Sequence, residues 1–392
     1  VMEVTSVKRI HQSDWTDFGV RFLRARDIVA ESKNESVSEP LFISQKKYDE
    51  YTAISGKVTK GDLLVTGVGT IGIPMLIEKN EPIYFKDGNI IWFKNENHID
   101  GQFFYYSFIG KKIQSFIKES AGIGTVGTFT INTGKNTPID LPVLKKEQEA
   151  IGNFFSDLDQ LITLHQRKLD DVKELKKALL QKMFPKGNGN DFPELRFPEF
   201  TDAWKQRKLG EVSKRVTRRN KELISSLPLT ISAQHGLVDQ EEFFNKQVAS
   251  KDVSSYYLIK KGEFAYNKSY SNGYPWGAIK RLDRYEMGVL STLYIVFKPT
   301  SLICSDYLVS YYDTVNWYKE VSMIAAEGAR NHGLLNIAPN DFFKTRLFIP
   351  TLPEQEAIGS FFSDLDQLIT LHQRQLDHLK LLKKALLQQM FI

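Results

Sequence analysis

Residues 147–184 of this sequence read EQEAIGNFFSDLDQLITLHQRKLDDVKELKKALLQKMF. Residues 354–391 read EQEAIGSFFSDLDQLITLHQRQLDHLKLLKKALLQQMF, at an offset of 207 positions. The two stretches differ at six positions, so 32 of 38 residues are identical. Identity at this level does not arise by chance, and it establishes an internal duplication before any motif is considered.

Each copy predicts one long helix. Apolar residues recur at heptad spacing, Pro142 and Pro353 lie just before the two runs, and Pro185 follows the first. A helix of 38 residues would be about 57 Å long. We expect the two apolar stripes to pair as an antiparallel coiled coil that also docks partners. The residues predicted for helix pairing and docking are Ile151, Phe154, Phe155, Leu158, Leu161, His165, Val172, Leu175, Leu179, Ile358, Phe361, Phe362, Leu365, Leu368, His372, Leu379, Leu382 and Leu386.

The two helices carry a histidine near their middle. In an antiparallel pair His165 and His372 are expected to meet near the pseudo-twofold axis and to fix the register. No carboxylate or cysteine repeats at a matching apolar position, so we expect no metal there. The alternative is two amphipathic helices packed in separate cores, which the length of the helices disfavours.

The duplication extends beyond the helices. Lys60-Gly61-Asp62 resembles Lys261-Gly262-Glu263, and residues 139–142 resemble 347–350. Apolar runs such as 90–93 predict buried strands, and residues 102–119 and 306–321 predict aromatic-rich helices. We therefore predict an α+β fold, with two pseudo-symmetric globular domains separated by a two-helix antiparallel coiled coil.

The predicted divisions of the chain follow from this pattern. They are a first globular domain at 1–146, a first long helix at 147–184, a linker at 185–203, a second globular domain at 204–353 and a second long helix at 354–392. The first half lacks a counterpart of residues 192–210, so we expect about twenty residues of the natural N-terminus to be absent.

Composition sets broad limits. The chain has 392 residues and a formal net charge of +5, which permits nucleic acid as a partner without requiring it. Cys304 is the only cysteine, so the chain can form neither an internal disulfide nor a cysteine-cluster metal site. With no signal peptide and no apolar run of membrane-spanning length, the expected location is the cytoplasm.

A search for catalytic motifs finds none that is complete. Gly134 and Lys135 resemble the end of a phosphate-binding loop, but Phe129 stands where its first glycine must be and Asn136 replaces the Ser or Thr. The sequence therefore predicts a non-catalytic binding protein with no cofactor or metal of its own. A stand-alone nuclease or methyltransferase, and a scaffold that ignores DNA, stay open as alternatives.

Basic clusters and polar loops predict DNA contacts in both halves. Residues 205–221 hold eight Lys or Arg side chains against one acid, and such clusters neutralise phosphates. In each half one polar loop follows the Lys-Gly-acid turn, and another precedes the final strand; their side chains are of types that bond base edges. The predicted DNA-binding residues are Lys8, Arg9, Arg24, Arg26, Thr66, Thr70, Thr125, Thr128, Thr130, Asn132, Arg215, Arg218, Arg219, Asn267, Lys268, Ser269, Tyr270, Asn272, Tyr274, Arg330, Asn331 and His332.

The whole pattern resembles the specificity subunit of type I restriction-modification systems. The resemblance rests on the two E-Q-x-A-I-x-x-F-F-S-x-L-D-x-L-I helices, and on FLRARDI at 22–28 and GDLL at 61–64. It implies that each globular half is a target recognition domain reading one part of a bipartite, asymmetric double-stranded DNA site. The paired helices would set the spacer between the half-sites and dock two modification subunits.

The resemblance also implies where the chemistry lies. S-adenosylmethionine, ATP and magnesium are expected on partner subunits, namely the modification (methyltransferase) and restriction (translocase/nuclease) subunits. An orphan or decoy specificity subunit is a further alternative. The shortened N-terminus departs from the family pattern and puts the completeness of the first domain in doubt.

Overall fold

A computed structural model describes residues 2–121, 127–186, 192–232, 235–246, 248–250, 252–270, 273–325 and 335–391. The predicted α+β class is confirmed, because long helices and antiparallel sheets occur together. The chain divides into two compact units, unit 1 (Val1–Arg167 with Gln373–Ile392) and unit 2 (Lys168–His372). No helix among the described residues combines the length and the hydropathy that crossing a bilayer requires.

Unit 1 contains two four-stranded sheets. Their orders are β1-β8-β5-β6, which is antiparallel throughout, and β2-β4-β3-β7, in which β3 and β7 are parallel. The predicted strand at 90–93 is β8, and its four residues are buried because the strand is covered on both faces. The strands are β1 Glu3–Thr5, β2 Trp15–Thr16, β3 Val20–Leu23, β4 Leu41–Ile43, β5 Leu63–Thr66, β6 Pro74–Leu76, β7 Ile83–Phe85 and β8 Ile90–Lys94.

The helices of unit 1 include one correction. The helix predicted over 102–119 is broken at Gly110, whose extended backbone ends α3 and begins α4. A Cβ at Gly110 would lie 2.8 Å from the Cβ of Phe391, so the break lets the C-terminus pack closely. The helices are a 3-10 turn Gln12–Asp14, α1 Ala25–Ser32, α2 Gln45–Ser55, α3 Gly101–Ile109, α4 Lys111–Ser120, α5 Ile131–Lys135 and the long α6 Lys145–Lys182, which continues into unit 2.

Unit 2 repeats the main sheet of unit 1. Its order β10-β17-β14-β15 matches β1-β8-β5-β6 strand for strand, so the duplication seen in the sequence is present in the fold. Three two-stranded sheets, β11-β12, β13-β16 and β18-β9, complete the described strands. The strands are β9 Lys205–Lys208, β10 Ser213–Val216, β11 Leu229–Ser232, β12 Gly236–Asp239, β13 Tyr257–Lys260, β14 Phe264–Asn267, β15 Ala278–Arg281, β16 Met287–Leu290, β17 Ile295–Pro299 and β18 Arg346–Ile349.

The helix predicted over 306–321 is likewise two helices, separated by residues 313–317. The helices of unit 2 are α7 Leu209–Val212, α8 Gln240–Phe244, α9 Ser305–Tyr312, α10 Tyr318–Ile324, α11 Pro339–Phe342 and the long α12 Leu352–Met390, which continues into unit 1. The two units thus divide the chain differently from the predicted domains, since each includes part of both long helices.

The long helices pair antiparallel within each unit, as predicted. In unit 1 the rings of Phe155 and Phe391 lie 5.7 Å apart, and Lys383 bonds Asp159, so rising numbers on α6 meet falling numbers on α12. In unit 2 the ring of Phe184 lies 6.0 Å from that of Phe362, and the order is again reversed. His165 belongs to unit 1 and His372 to unit 2, and their meeting stays a prediction.

Part of the predicted apolar stripe faces outward. Phe155, Leu158, Ile358 and Phe362 are buried as expected. The correction concerns five residues whose side chains remain between 37% and 50% exposed; these are Phe154, Leu161, Leu175, Leu368 and Leu382. The heptad pattern predicts too many buried residues between the two helices, because each half of a helix turns part of its apolar face toward the globular part of its unit.

A repeated glutamine attaches each long helix to the globular part of its unit. In unit 1 the Gln148 Oε1 accepts a hydrogen bond from the backbone N–H of Asp100 (3.1 Å), at the start of α3, and its Nε2 donates to the carbonyl of Pro142. In unit 2 Gln355 does the same with Cys304 (2.9 Å), at the start of α9, and with Pro350. Burial of this amide makes its bonds obligatory, which gives a physical reason for the glutamine in both copies.

Candidate nucleic-acid interface

The two predicted recognition loops of unit 1 lie side by side, and in unit 2 the first loop is bonded to Leu335, the first described residue after the second. In unit 1 the backbone N–H of Phe129 donates to the carbonyl of Gly67 over 2.9 Å. In unit 2 the N–H of Leu335 donates to the carbonyl of Lys268 over the same 2.9 Å. Gly67 and Lys268 are equivalent positions after the Lys-Gly-acid turn. We call these contacts the loop junctions, and each joins the loop after the turn to the segment before the last short helix of its half.

Thr66 requires a correction. Its side chain is fully buried, and its hydroxyl donates to the carbonyl of Thr70 (2.6 Å) while accepting from the N–H of Ile73 (2.9 Å). A buried hydroxyl with both partners satisfied shapes the turn and is not free to reach a base. Gly69 and Thr70 lie exposed at the tip of the loop, and a DNA contact by Thr70 stays a prediction.

The second segment of unit 1 is anchored by one aromatic residue. Phe129 is buried against Phe108, with ring centroids 6.5 Å apart, and this holds the chain on either side of it at the surface. Thr128 and Asn132 are exposed. Thr130 caps α5, because its hydroxyl accepts from the N–H of Thr133 over 3.2 Å, although the residue itself stays exposed.

The loop of unit 2 mixes supporting and exposed side chains. The Asn267 Oδ1 accepts from the N–H of Ser269 (3.0 Å), which folds the loop back on itself. Lys268 is half-buried, its Nζ donates to the carbonyl of Ile337, and burial lowers its pKa. Tyr270 is exposed and Tyr274 half-buried. Five predicted residues lie outside the described residues; these are Thr125, Asn272, Arg330, Asn331 and His332.

Two of the predicted DNA-binding arginines are held by buried carboxylates. The Arg218 Nη2 lies 2.8 Å from the Oε2 of Glu263, the acid of the Lys-Gly-acid turn. Arg24 donates from Nε and Nη2 to the two carboxylate oxygens of Asp27, over 3.2 and 3.1 Å. A buried carboxylate that loses a closely bonded charged partner is costly. Substituting Arg218 or Arg24 would therefore disturb the fold whether or not DNA is bound.

The remaining predicted basic residues are more accessible. Arg215 is exposed on β10, and Arg9 is 68% exposed although its Nε lies 2.9 Å from Asp87. Lys8 lies over the ring of Tyr51 at 4.3 Å, and Arg219 lies over that of Tyr257 at 4.6 Å. Arg26 is 53% exposed, with its Nε 3.8 Å from Asp27. Such side chains hold an ordered position yet keep charge available to phosphates.

The sequence reading included Lys214 in the basic cluster at 205–221 but missed its pairing with Lys298. Lys214 on β10 stands directly opposite Lys298 on β17, and both are exposed with no ion pair among the described residues. In unit 1 the equivalent positions carry Glu3 and Lys94, which form an ion pair of 3.0 Å. Like charges facing each other across two strands are destabilising, and a phosphate would relieve the repulsion. Only strand register could identify the pair, because its members are 84 positions apart.

A second surface lies on the long helices. Leu161 and Leu164 on α6 and Leu382 on α12 are exposed in unit 1. The equivalent Leu368, Leu371 and Leu175 are exposed in unit 2. Exposed apolar patches at the same positions of both copies are typical of partner-docking faces. Among the described residues no group of three or more His, Cys, Asp or Glu side chains is placed to hold a metal ion.

Part of the sequence is similar to known proteins. Residues 28–174 match the family described as "Type I restriction modification DNA specificity domain". A Haemophilus influenzae protein, provisionally named as a type I restriction enzyme specificity subunit, is 31% identical over 124 residues. The aligned part is 31% of this chain and only 30% of that protein.

The fold is also similar to a solved one. The crystal structure of the type I restriction-modification system S subunit from M. genitalium matches with a TM-score of 0.57 and 13% identity. The match covers 100% of this chain and 94% of that chain. The family match confirms, over residues 28–174, the resemblance to type I restriction-modification specificity subunits read from the duplicated helices, and the structural match shows a similar fold over the whole chain.

Proposed function

We propose that the chain is the sequence-specific, double-stranded DNA-binding subunit of a type I restriction-modification complex. Each globular half reads one part of a bipartite, asymmetric site. The observation that carries this proposal is the loop junction, whose acceptors Gly67 and Lys268 are equivalent positions while the residues around them differ. A constant frame with variable side chains is what reading two different half-sites requires.

The charges around the loops support a DNA partner. Arg215, Lys214 and Lys298 are exposed in unit 2, and Arg9 and Lys8 are exposed in unit 1. Phosphate contacts of this kind position a protein on the duplex and make its affinity depend on salt. The residues predicted to read bases are then those at the loop tips, such as Thr70 and Tyr270.

The helices supply the other part of the proposal. We assign the two exposed leucine faces to two modification subunits, one face for each, because the faces recur through the duplication. The paired helices set the spacer between half-sites. The chain itself is non-catalytic; S-adenosylmethionine, ATP and magnesium bind to the modification and restriction subunits.

The test is methylation mapping of DNA from a host that carries this chain together with its partner subunits. The expected result is one bipartite, asymmetric motif with a fixed gap. Exchanging residues 204–353 for the corresponding part of a relative should change one half-site and leave the other. A change in both half-sites would contradict independent reading, and methylation by the purified chain alone would contradict a non-catalytic role.

A further inference from the structure

The same ion pair occurs in both units. In unit 1 the Nζ of Lys383, on α12, lies 2.6 and 2.7 Å from the two carboxylate oxygens of Asp159, on α6. In unit 2 the Nζ of Lys176, on α6, lies 2.7 and 2.8 Å from the oxygens of Asp366, on α12. The offset of 207 relates Asp159 to Asp366 and Lys176 to Lys383. Each helix therefore supplies the acid in one unit and the base in the other.

Neither lysine is an ordinary surface side chain. Lys176 is 13% exposed and Lys383 is 20% exposed. The Lys176 Nζ also lies 2.9 Å from Asp313, whose other oxygen is 2.7 Å from the Nζ of Lys280. A largely buried ammonium group is tolerated only while a carboxylate compensates it.

In unit 1 the place of Asp313 is taken by an aromatic residue. The hydroxyl of Tyr106 donates to the Oδ2 of Asp159 over 2.8 Å, and the ring of Tyr106 lies 5.3 Å from the Nζ of Lys383. The two pairs are thus linked to the globular part of their own unit by different groups. The aspartate–lysine contact between the helices is the part common to both.

The sequence allows these pairs at one stagger only. A slip of three, four or seven residues keeps the same helix faces in contact. Such a slip would set Lys383 against an uncharged residue, namely Ser156, Phe155 or Gly152 in one direction and Ile162, Thr163 or Gln166 in the other. The duplication places the same six residue types around Asp366. Each of these slips therefore breaks the aspartate–lysine contact between the helices in both units at once, and in unit 1 it leaves Lys383 without its carboxylate.

We propose that the Asp159–Lys383 and Lys176–Asp366 pairs are a register lock. These four positioning residues fix the stagger of α6 against α12. Resting on the proposed function, the lock thereby fixes the number of base pairs between the half-sites. A slip of three residues moves the helices by about 4.5 Å, slightly more than one base-pair step of about 3.4 Å.

The first test measures register directly by cross-linking in the full chain carrying Cys304→Ser. The side chains of Gln166 and Lys380 approach within 3.5 Å, so Gln166→Cys with Lys380→Cys reports the native stagger. Gln166→Cys with Asp377→Cys or Lys384→Cys reports slipped staggers. We expect the native combination to cross-link about tenfold more with a short bis-maleimide.

The lock is then removed while Asp313, which loses Lys176, keeps its ion pair with Lys280. The variant Asp159→Leu, Lys176→Met, Asp366→Leu, Lys383→Met replaces both pairs by apolar residues, a change that is commonly neutral or stabilising. We expect it to stay folded by circular dichroism but to cross-link at all three staggers within about twofold. The charge-exchanged control Asp159→Lys with Lys383→Asp, which keeps one pair reversed and the other intact, should retain the native preference.

Two results would overturn the lock. One is an apolar variant that keeps the tenfold preference of the parent. The other, which decides the matter if the apolar variant does not fold, is a folded charge-exchanged control that loses the preference. The methylated motif of the apolar variant, mapped with partner subunits, tests the second step. Mixed gap lengths are expected, whereas a slipped register with an unchanged gap would refute the spacer role and leave the lock intact.

Discussion

Replacing Glu354 with alanine should destabilise unit 2 strongly, although the same change at the identical repeat position Glu147 should not. Glu354 is fully buried at the start of α12. Its oxygens each lie 2.7 Å from the guanidinium of Arg196, and Trp204 donates its indole N–H to the same carboxylate over 3.2 Å. Glu147 is exposed.

The size of the effect follows from these contacts. Hydrogen bonds to a charged group contribute about 1.5–3 kcal/mol, and a buried donor left without an acceptor costs a further 1–3 kcal/mol or so. Because Arg196 keeps some access to solvent, we expect a loss of about 3–5 kcal/mol in the free energy of unfolding. For a unit of this size the midpoint of thermal unfolding should fall by about 6–20 °C.

The assay is thermal unfolding followed by tryptophan fluorescence, since Trp204 reports on the substituted site. Glu147→Ala is the matched control and should leave the midpoint unchanged. Equal shifts for the two variants, or an unchanged midpoint for Glu354→Ala, would show that the Arg196–Glu354 contact does not hold the start of α12.

Three further predictions concern the site and its support. Gly67→Ala would place a Cβ 2.7 Å from the carbonyl oxygen of Phe129, so DNA affinity should fall through the first half-site alone, as competition with half-site duplexes would show. Arg215→Glu should weaken duplex binding and lower the slope of log affinity against log salt concentration by about one, without changing the melting temperature of the protein. Arg218→Glu should lower that melting temperature. Burial alone would raise the pKa of Asp313, but the ammonium groups of Lys280 and Lys176 hold this pKa below its ordinary value. The ionised carboxylate therefore stabilises unit 2 above pH 3.8, and this stabilisation is lost as the pH falls through the lowered pKa. In Asp313→Asn, the free energy of unfolding of unit 2 should accordingly depend less on pH in this acid range.

Much of the fold followed from local pattern. The duplicated 38 residues predicted two long helices and their antiparallel pairing, because heptad spacing of apolar residues can be read directly along the sequence and implies a partner helix. The apolar run at 90–93 predicted a buried strand for the same reason. The breaks at Gly110 and after Tyr312 were missed; at Gly110 the close contact comes from Phe391, which is distant in sequence.

The site was predicted less completely. The sequence placed two polar loops at equivalent positions, and in unit 1 their adjacency appeared only with the backbone bond of Phe129. Thr66 and Arg218 have side chains suited to DNA contacts, but each is engaged by neighbours inside its unit. Residue type gives the chemistry of a side chain, and burial decides whether that chemistry is available.

The sequence by itself determined the duplication, the helical rods and the family resemblance, because these depend on repetition and on spacing along one chain. Only the tertiary structure decided which contacts identical residues of the two copies make. Glu147 and Glu354 occupy the same place in the repeat, yet one is exposed and the other is enclosed by Arg196 and Trp204. The physical reason is that the energy of a charged group depends on its surroundings, which are assembled from residues far away in the sequence.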